Sequence, residues 1–316
     1  MMNTLLNIYF KLPHDKTFGI VSKAFNRLVA KILKSILDRT VPPYFLTTQG
    51  KYPNGLNTEK RDKEVIVSFT SFPGRIQDVW IVVECIFRQT YKADKIILWL
   101  SKPQFEGVEL PILLLEQQKR GLEIRFVADD LRSHKKYFYA LENFDSSIIV
   151  TVDDDVFYHR DILKALIDAH VSNPNEVIAN RAHKIRFDEE DRILPYRQWA
   201  INYKSPYSSF LYVPTGVGGV LYPPQSLSKK LLNVEAIKEL CFHADDLWLK
   251  AGSMLTSTKV LVTSNYRQEF ITVGKTQNSK LVTSNSLNGG NDEQLKRTLE
   301  YFNLGNLGQF RDKDGK

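Results

Sequence analysis

The sequence predicts an α/β fold: a sheet flanked by helices, with a basic amphipathic helix in front of it. Three observations carry this prediction. Short β-branched runs alternate with segments of helical spacing from residue 64 onward, the pattern of parallel strands joined by crossover helices. Three aspartates, Asp153-Asp154-Asp155, stand directly after the fourth such run. Most of the net charge of +7 lies near the start. Residues 1–60 hold nine Lys and Arg against Asp15, Asp38 and Glu59, nine minus three giving +6.

The elements follow in order. Apolar residues at Phe18, Val21, Phe25, Leu28, Val29, Ile32, Leu33 and Ile36 mark one helical face over 18–37. Lys23, Arg27, Lys31 and Lys34 cover much of the remainder. Pro42-Pro43 is expected to stop this helix. The Gly-, Asn- and Pro-containing segment 47–57 then reads as a linker, so that residues 1–60 form an appendage to a main domain over 61–316. Strands are expected at 65–69, 95–100, 122–127 and 147–152, and helices at 76–88, 111–119 and 133–141. The second half is less regular, with a helix near 160–170, a Pro-, Gly- and aromatic-rich stretch over 195–224, and a helix over 293–301.

Composition narrows the function classes. Hydrophobic content of 43% and charged content of 25% suit a soluble globular chain. No apolar run reaches the roughly 18 residues of a membrane span, and the N-terminus lacks a secretion signal. Two cysteines, Cys85 and Cys241, are too few for a disulfide framework and fit a reducing, cytoplasmic setting. Near-neutral charge beyond residue 60 argues against nucleic acid as partner. A basic helix over 17–39 suits an anionic membrane surface, at the inner face of the cell membrane, as well as it suits packing on the domain or on a second subunit.

The chemistry centres on the acidic triplet. Carboxylates crowded where a strand leaves the core repel one another and call for a cation, and hard oxygens suit Mg²⁺ or Mn²⁺. Asp153 and Asp155 are two apart, so on an extended segment they face one side and can share the ion. Thr70 to Arg75 follows the first strand; Pro73-Gly74 is turn chemistry, and Arg75 offers a planar fork for phosphate. Lys135 and Lys136 are adjacent on a helix, so at most one reaches a diphosphate. Asp129-Asp130, after the third strand, either reads a base or caps the next helix. Asp245-Asp246 stand near a helix start. Gly216-Val-Gly-Gly219 marks a close backbone approach, to a sugar or in a tight turn. Tyr196, Trp199, Tyr203, Tyr207 and Tyr212 form either a sugar-stacking wall or core packing. Asn288 to Asp292, with Lys275 or Lys280, could close over a diphosphate.

In their order, the pieces at 67–75, Lys135-Lys136, 151–155, 216–219 and 244–248 resemble the GT-A glycosyltransferases, in particular bacterial family-2-type enzymes of surface-polysaccharide synthesis. The resemblance implies a Rossmann-like nucleotide-binding mixed sheet, with a nucleotide-binding half over 61–156 and an acceptor half over 157–316. It implies metal-dependent, inverting transfer from a UDP-linked nucleotide sugar to a saccharide or lipid-linked saccharide. Asp246 would be the base, with Asp245 second to it. Asp155 and Asp153 would hold Mn²⁺ or Mg²⁺. Thr70, Phe72, Pro73, Arg75, Asp130, Lys135, Lys136, Asp153, Asp154, Gly218 and Gly219 would contact the nucleotide sugar. The chain departs from the family in having Leu100-Ser101 where an aspartate usually reads the base, and in having no histidine after His243. The rival enzyme class is a sugar-phosphate nucleotidyltransferase, although Ser71-Phe-Pro-Gly74 has one glycine where such chains have a glycine-rich loop. A non-catalytic carbohydrate- or membrane-binding protein is the rival outside enzymes.

Overall fold

Successive residues of a strand take opposite faces, so runs that are apolar at every position must be covered on both sides. The computed structural model describes residues 1–12, 19–266, 269–274, 290–305 and 307–310, and its sheet meets this requirement. The four runs form β1 (Val65–Thr70), β2 (Lys95–Ser101), β3 (Leu122–Val127) and β4 (Ile148–Thr151). Val67, Phe69, Ile96, Leu98 and Val150 enter one core, while Ile66, Ile97, Trp99 and Ile149 enter another. These strands pair in parallel in the order β3-β2-β1-β4. Three short strands extend the sheet, β5 (Val177–Ala179), β8 (Val220–Tyr222) and β9 (Val260–Val262), giving the order β3-β2-β1-β4-β8-β5-β9. β8 is antiparallel to β4 and to β5. A separate hairpin pairs β6 (Ala182–Lys184) with β7 (Tyr212–Pro214). The fold is a mixed, mostly parallel α/β sheet of Rossmann-like type.

Helices cover both faces. The first core takes α1 (Met2–Phe10), α2 (Gly19–Thr48), α3 (Val79–Phe87), α5 (Ile112–Gln118) and α7 (Ile162–Ser172). The second takes α6 (Lys135–Asn143), α8 (Val234–Leu240), α9 (Asp245–Leu255) and α10 (Gly290–Tyr301). A short α4 (Lys102–Phe105) follows β2.

The N-terminal region differs from expectation in two respects. First, α2 runs through Pro42 and Pro43 to Thr48. An interior proline costs a helix about 3 kcal/mol. Leu33, Leu37, Val41 and Phe45 are all buried, and at about 1.5–3 kcal/mol for each side chain that burial outweighs the two prolines. Second, the apolar face divides. The i+4 row Leu33, Leu37, Val41, Phe45 faces the core, whereas Phe25, Leu28, Ile32 and Ile36 are 40–57% exposed. Phe18 lies outside the described residues, as do the side chains of Val21 and Lys23.

Residues 52–58 are pinned to the sheet. The Gly55 N–H donates to the Arg120 carbonyl, and a Cβ at Gly55 would lie 1.9 Å from the Phe87 ring. The N-terminal helices also brace the segment 269–274. Lys34 Nζ donates to the Thr272 carbonyl at 2.7 Å, and the Gly274 N–H donates to Asp38 at 2.9 Å. Phe10 packs edge-on against Tyr266 and leans on Phe270. That segment in turn holds the acidic triplet from behind, through Val273 N–H to the Asp155 carbonyl and Phe157 N–H to the Ile271 carbonyl.

Candidate active site

Parallel β1 and β4 end side by side, so the loop after β1 meets the triplet after β4 at the carboxyl edge of the sheet. This is where open α/β sheets bind ligands. Arg75 Nη1 stands 2.8 Å from Asp154 and 3.1 Å from Asp155, and Ser71 Oγ donates to Asp154. The Asp153 N–H donates to the Tyr158 hydroxyl at 2.8 Å, which fixes the turn.

From the other side comes α6. Its Lys136, 4% exposed, pairs with Asp153 at 2.8 Å and with Asp245 at 2.9 Å. Asp246 accepts a hydrogen bond from the Gly216 N–H at 3.1 Å. Lys135, 100° round the helix, does not join them. It pairs with Asp130 at 2.7 Å, which also accepts from Gln104 and caps Arg132 through its N–H. Beneath the start of α9, His134 is fully buried, and burial pushes it down to about 4. A neutral ring then donates from Nε2 to the Cys241 carbonyl and accepts from the Tyr137 hydroxyl at Nδ1.

The cluster has more acid than base. Asp153, Asp154, Asp155, Asp245 and Asp246 face Lys136 and Arg75, five carboxyl groups against two cations. Burial first, then Asp153 and Asp154, push Asp155 up to about 7 against Arg75 and Lys136. Burial and then Asp245 push Asp246 up to about 8. Burial alone would lower Lys136, yet Asp153, Asp245 and Asp246 hold its ammonium well above the usual range.

Among the described residues no group of three or more His, Cys, Asp or Glu forms a metal cage. The excess of hard oxygen donors fits Mg²⁺ or Mn²⁺ of the kind that takes few protein ligands and completes its shell with water and substrate phosphate.

The raised carboxyls of Asp155 and Asp246 make stability depend on pH. Their folded pKa values exceed the unfolded value of about 4, so the folded state binds extra protons between roughly pH 4 and 8. Asp155 and Asp246 therefore contribute less stability to the metal-free protein as pH rises through that window, while buried neutral His134 acts in the opposite sense below about pH 6.5. A divalent cation needs the deprotonated carboxylates, so Mn²⁺ is expected to raise the melting temperature more at pH 8 than at pH 6. Thermal unfolding at both pH values checks this, and equal shifts would contradict it.

The remaining candidates scatter. Thr70 Oγ1 donates to the Trp99 carbonyl at 2.7 Å, and the Arg75 guanidinium lies over the Phe72 ring beside the Pro73-Gly74 turn. Gly218 does accept a close approach, but by protein: a Cβ there would lie 2.9 Å from Arg181 Cβ. Gly219 has φ 81°, which favours glycine on backbone grounds. Trp199 and Tyr212 are core residues, and Tyr207 is 75% exposed. Asp292 accepts from the Tyr196 N–H, away from the triplet. Lys275, Lys280, Asn288 and Gly289 lie outside the described residues. Tyr158 and His134 join the site without a signal in the sequence, whereas Ser71 and Gly216 lie within the 70–75 and 216–219 segments that the sequence marks.

No family model and no curated protein matches this chain. Solved structures do. HddC from Yersinia pseudotuberculosis is similar at 11% identity over 51% of this chain and 76% of its own, with a TM-score of 0.32. A 4-diphosphocytidyl-2C-methyl-D-erythritol synthase is similar at 9% identity over 71% and 98%, TM-score 0.41. A CMP:2-keto-3-deoxy-manno-octonic acid synthetase complexed with CTP follows at 10% over 64% and 89%, TM-score 0.38. These chains are nucleotidyltransferase-like and none of them is a glycosyltransferase. That finding corrects the expectation of glycosyl transfer.

Proposed function

We propose that this chain is a metal-dependent nucleotidyltransferase that joins a nucleotide to a sugar phosphate. The observation that supports this most is the charge balance of the buried cluster. Its five carboxyl groups outnumber its two fixed cations, and in their deprotonated form they repel a bare polyphosphate but welcome one that arrives with a divalent cation. Arg75, from the β1 loop, and Lys136, from α6, are the groups to contact its phosphates, and Thr70, Phe72 and Pro73 the loop to clasp the nucleoside. When bound by Asp153 and Asp155, the cation would neutralise charge on the departing pyrophosphate.

The nucleophile is a phosphate oxygen of the sugar phosphate. It forms a bond to the α-phosphorus of the nucleoside triphosphate while the bond to pyrophosphate breaks. Because that oxygen is already anionic, no proton need be removed. Asp245 is then free to hold Lys136 in place, and Asp246 to fix the Gly216 loop.

The test is to supply nucleoside triphosphates with sugar 1-phosphates and Mg²⁺ or Mn²⁺. Pyrophosphate is expected only when both substrates are present. Release of nucleoside diphosphate from a nucleotide sugar, with no pyrophosphate from any pair, would contradict the proposal.

No helix among the described residues is long and apolar enough to cross a membrane. The exposed stripe of α2 supports a surface role instead. Phe25, Leu28, Ile32 and Ile36 share one side, with exposed Arg27 and Lys31 beside them, a combination suited to anionic lipid. Replacing Phe25, Leu28 and Ile32 together by serine is expected to abolish flotation with anionic liposomes while leaving the melting temperature nearly unchanged. Equal flotation of variant and parent would remove this reading.

A further inference from the structure

A second built site adjoins the carboxylate cluster. Arg181, in the turn between β5 and β6, is held on three sides. Its Nε donates to Asn202 Oδ1 at 2.6 Å, Nη1 to Thr215 Oγ1 at 2.9 Å, and Nη2 to the Glu269 carboxylate at 3.0 Å. The Asn202 amide donates to the same carboxylate at 2.8 Å. A planar guanidinium and an amide thus converge on one carboxylate, the arrangement by which proteins bind oxyanions.

The two sides of this contact are built differently. Arg181 is 16% exposed and anchored by groups of the fold, including the Gly218 backbone that lies too close for a Cβ. Asn202 adopts φ 49° and its N–H donates to His183 Nδ1 at 3.3 Å. The Glu269 side chain, by contrast, is 55% exposed. It belongs to the segment whose Val273 N–H binds the Asp155 carbonyl. Thr215 directly precedes Gly216, which binds Asp246, and Tyr196 lies within electrostatic reach of Asp246, Arg181 and Glu269 alike. The Arg181 pair is therefore next to the acidic cluster rather than remote from it.

We propose that Arg181 and Asn202 form an anion subsite for the co-substrate, filled by the Glu269 carboxylate in the free protein and by a phosphate monoester during turnover. The identity of the ligand as a sugar phosphate rests on the nucleotidyl-transfer reading. A phosphate monoester presents the same oxygen edge as a carboxylate and carries up to twice the charge, so it can displace Glu269 where a neutral sugar cannot. Its release would free the exposed glutamate into water, where a carboxylate is well solvated.

The probe is inorganic phosphate, titrated calorimetrically into the full-length protein, with Mg²⁺-nucleoside triphosphate titrated separately. Glu269→Gln removes the competing charge and is expected to tighten phosphate binding by about tenfold or more, the effect of roughly 1.4 kcal/mol. Arg181→Gln is expected to abolish the response to position 269. Should Arg181→Gln misfold, Arg181→Lys, which keeps the charge but loses the fork, is expected to weaken phosphate by about tenfold. Triphosphate binding should change less than about twofold in all of them, since none touches that site. A Glu269→Gln protein that melts earlier but binds phosphate as the parent does would show the pair to be purely structural and overturn the proposal. If no triphosphate binds at all, the nucleotidyl-transfer reading fails, and the phosphate titrations still decide on the subsite.

Discussion

Lys136→Met is expected to abolish turnover and to destabilise the protein by about 3–5 kcal/mol at pH 8, the usual effect of removing one partner from a buried charge pair. The ammonium is 4% exposed and stands between Asp153 and Asp245. Methionine fills a similar volume, so little of the loss comes from a cavity. What remains is Asp153, Asp245 and Asp246 without their ammonium, and they respond by taking up protons. The destabilisation should therefore shrink as pH falls from about 8 to about 5, because protonation removes the unpaired charge. Thermal unfolding of parent and variant at both pH values tests this. A variant as stable as the parent at pH 8 would mean that Lys136 does not neutralise the cluster.

Gly216→Ala is expected to separate activity from stability. A Cβ at this position would lie 2.5 Å from Lys136 Nζ and 2.9 Å from Asp153 Oδ1. A free lysine end would swing aside at little cost, but this one is gripped by two carboxylates. The methyl group must displace either the ammonium or the Asp246-bearing contact to the Gly216 N–H. Displacing a charged group by about 1 Å at a reacting centre costs on the order of 100-fold in rate, while overpacking costs about 1–3 kcal/mol of stability. Steady-state turnover and a melting curve on the same preparation check both parts. Full activity would show that the Gly216 backbone is not part of the site.

The parts of this architecture that were legible in the sequence are those written locally. β1, β2 and β4 are short, mostly apolar runs rich in β-branched residues, and the triplet at 153–155 stands just past the last of them, so strand end and acid could be joined by reading along the chain. The turn at Pro73-Gly74 was legible for the same reason. Contacts between distant segments were not. Nothing near residue 136 announces that its lysine, rather than Lys135, meets Asp245 more than a hundred positions later; the choice follows from how α6 is rolled against β1 and β4. The fate of α2 shows tertiary packing overriding a local rule, since Pro42-Pro43 reads as a stop until Val41 and Phe45 are seen in the core. The segment at 269–274, which holds the triplet from behind and carries Glu269, has no periodic pattern at all. The glycosyl-transfer expectation failed for a related reason. Short acidic motifs at the edge of a Rossmann-like sheet mark where phosphates are handled without fixing which bond is broken.

The most direct measurement is a calorimetric titration of UTP, CTP, GTP and dTTP with and without Mn²⁺. At least one triphosphate is expected to bind only when Mn²⁺ is present, and Asp153→Asn or Asp155→Asn is expected to abolish the metal-dependent part. Binding that is indifferent to the cation, or unaffected by both substitutions, would contradict metal-dependent binding at this site.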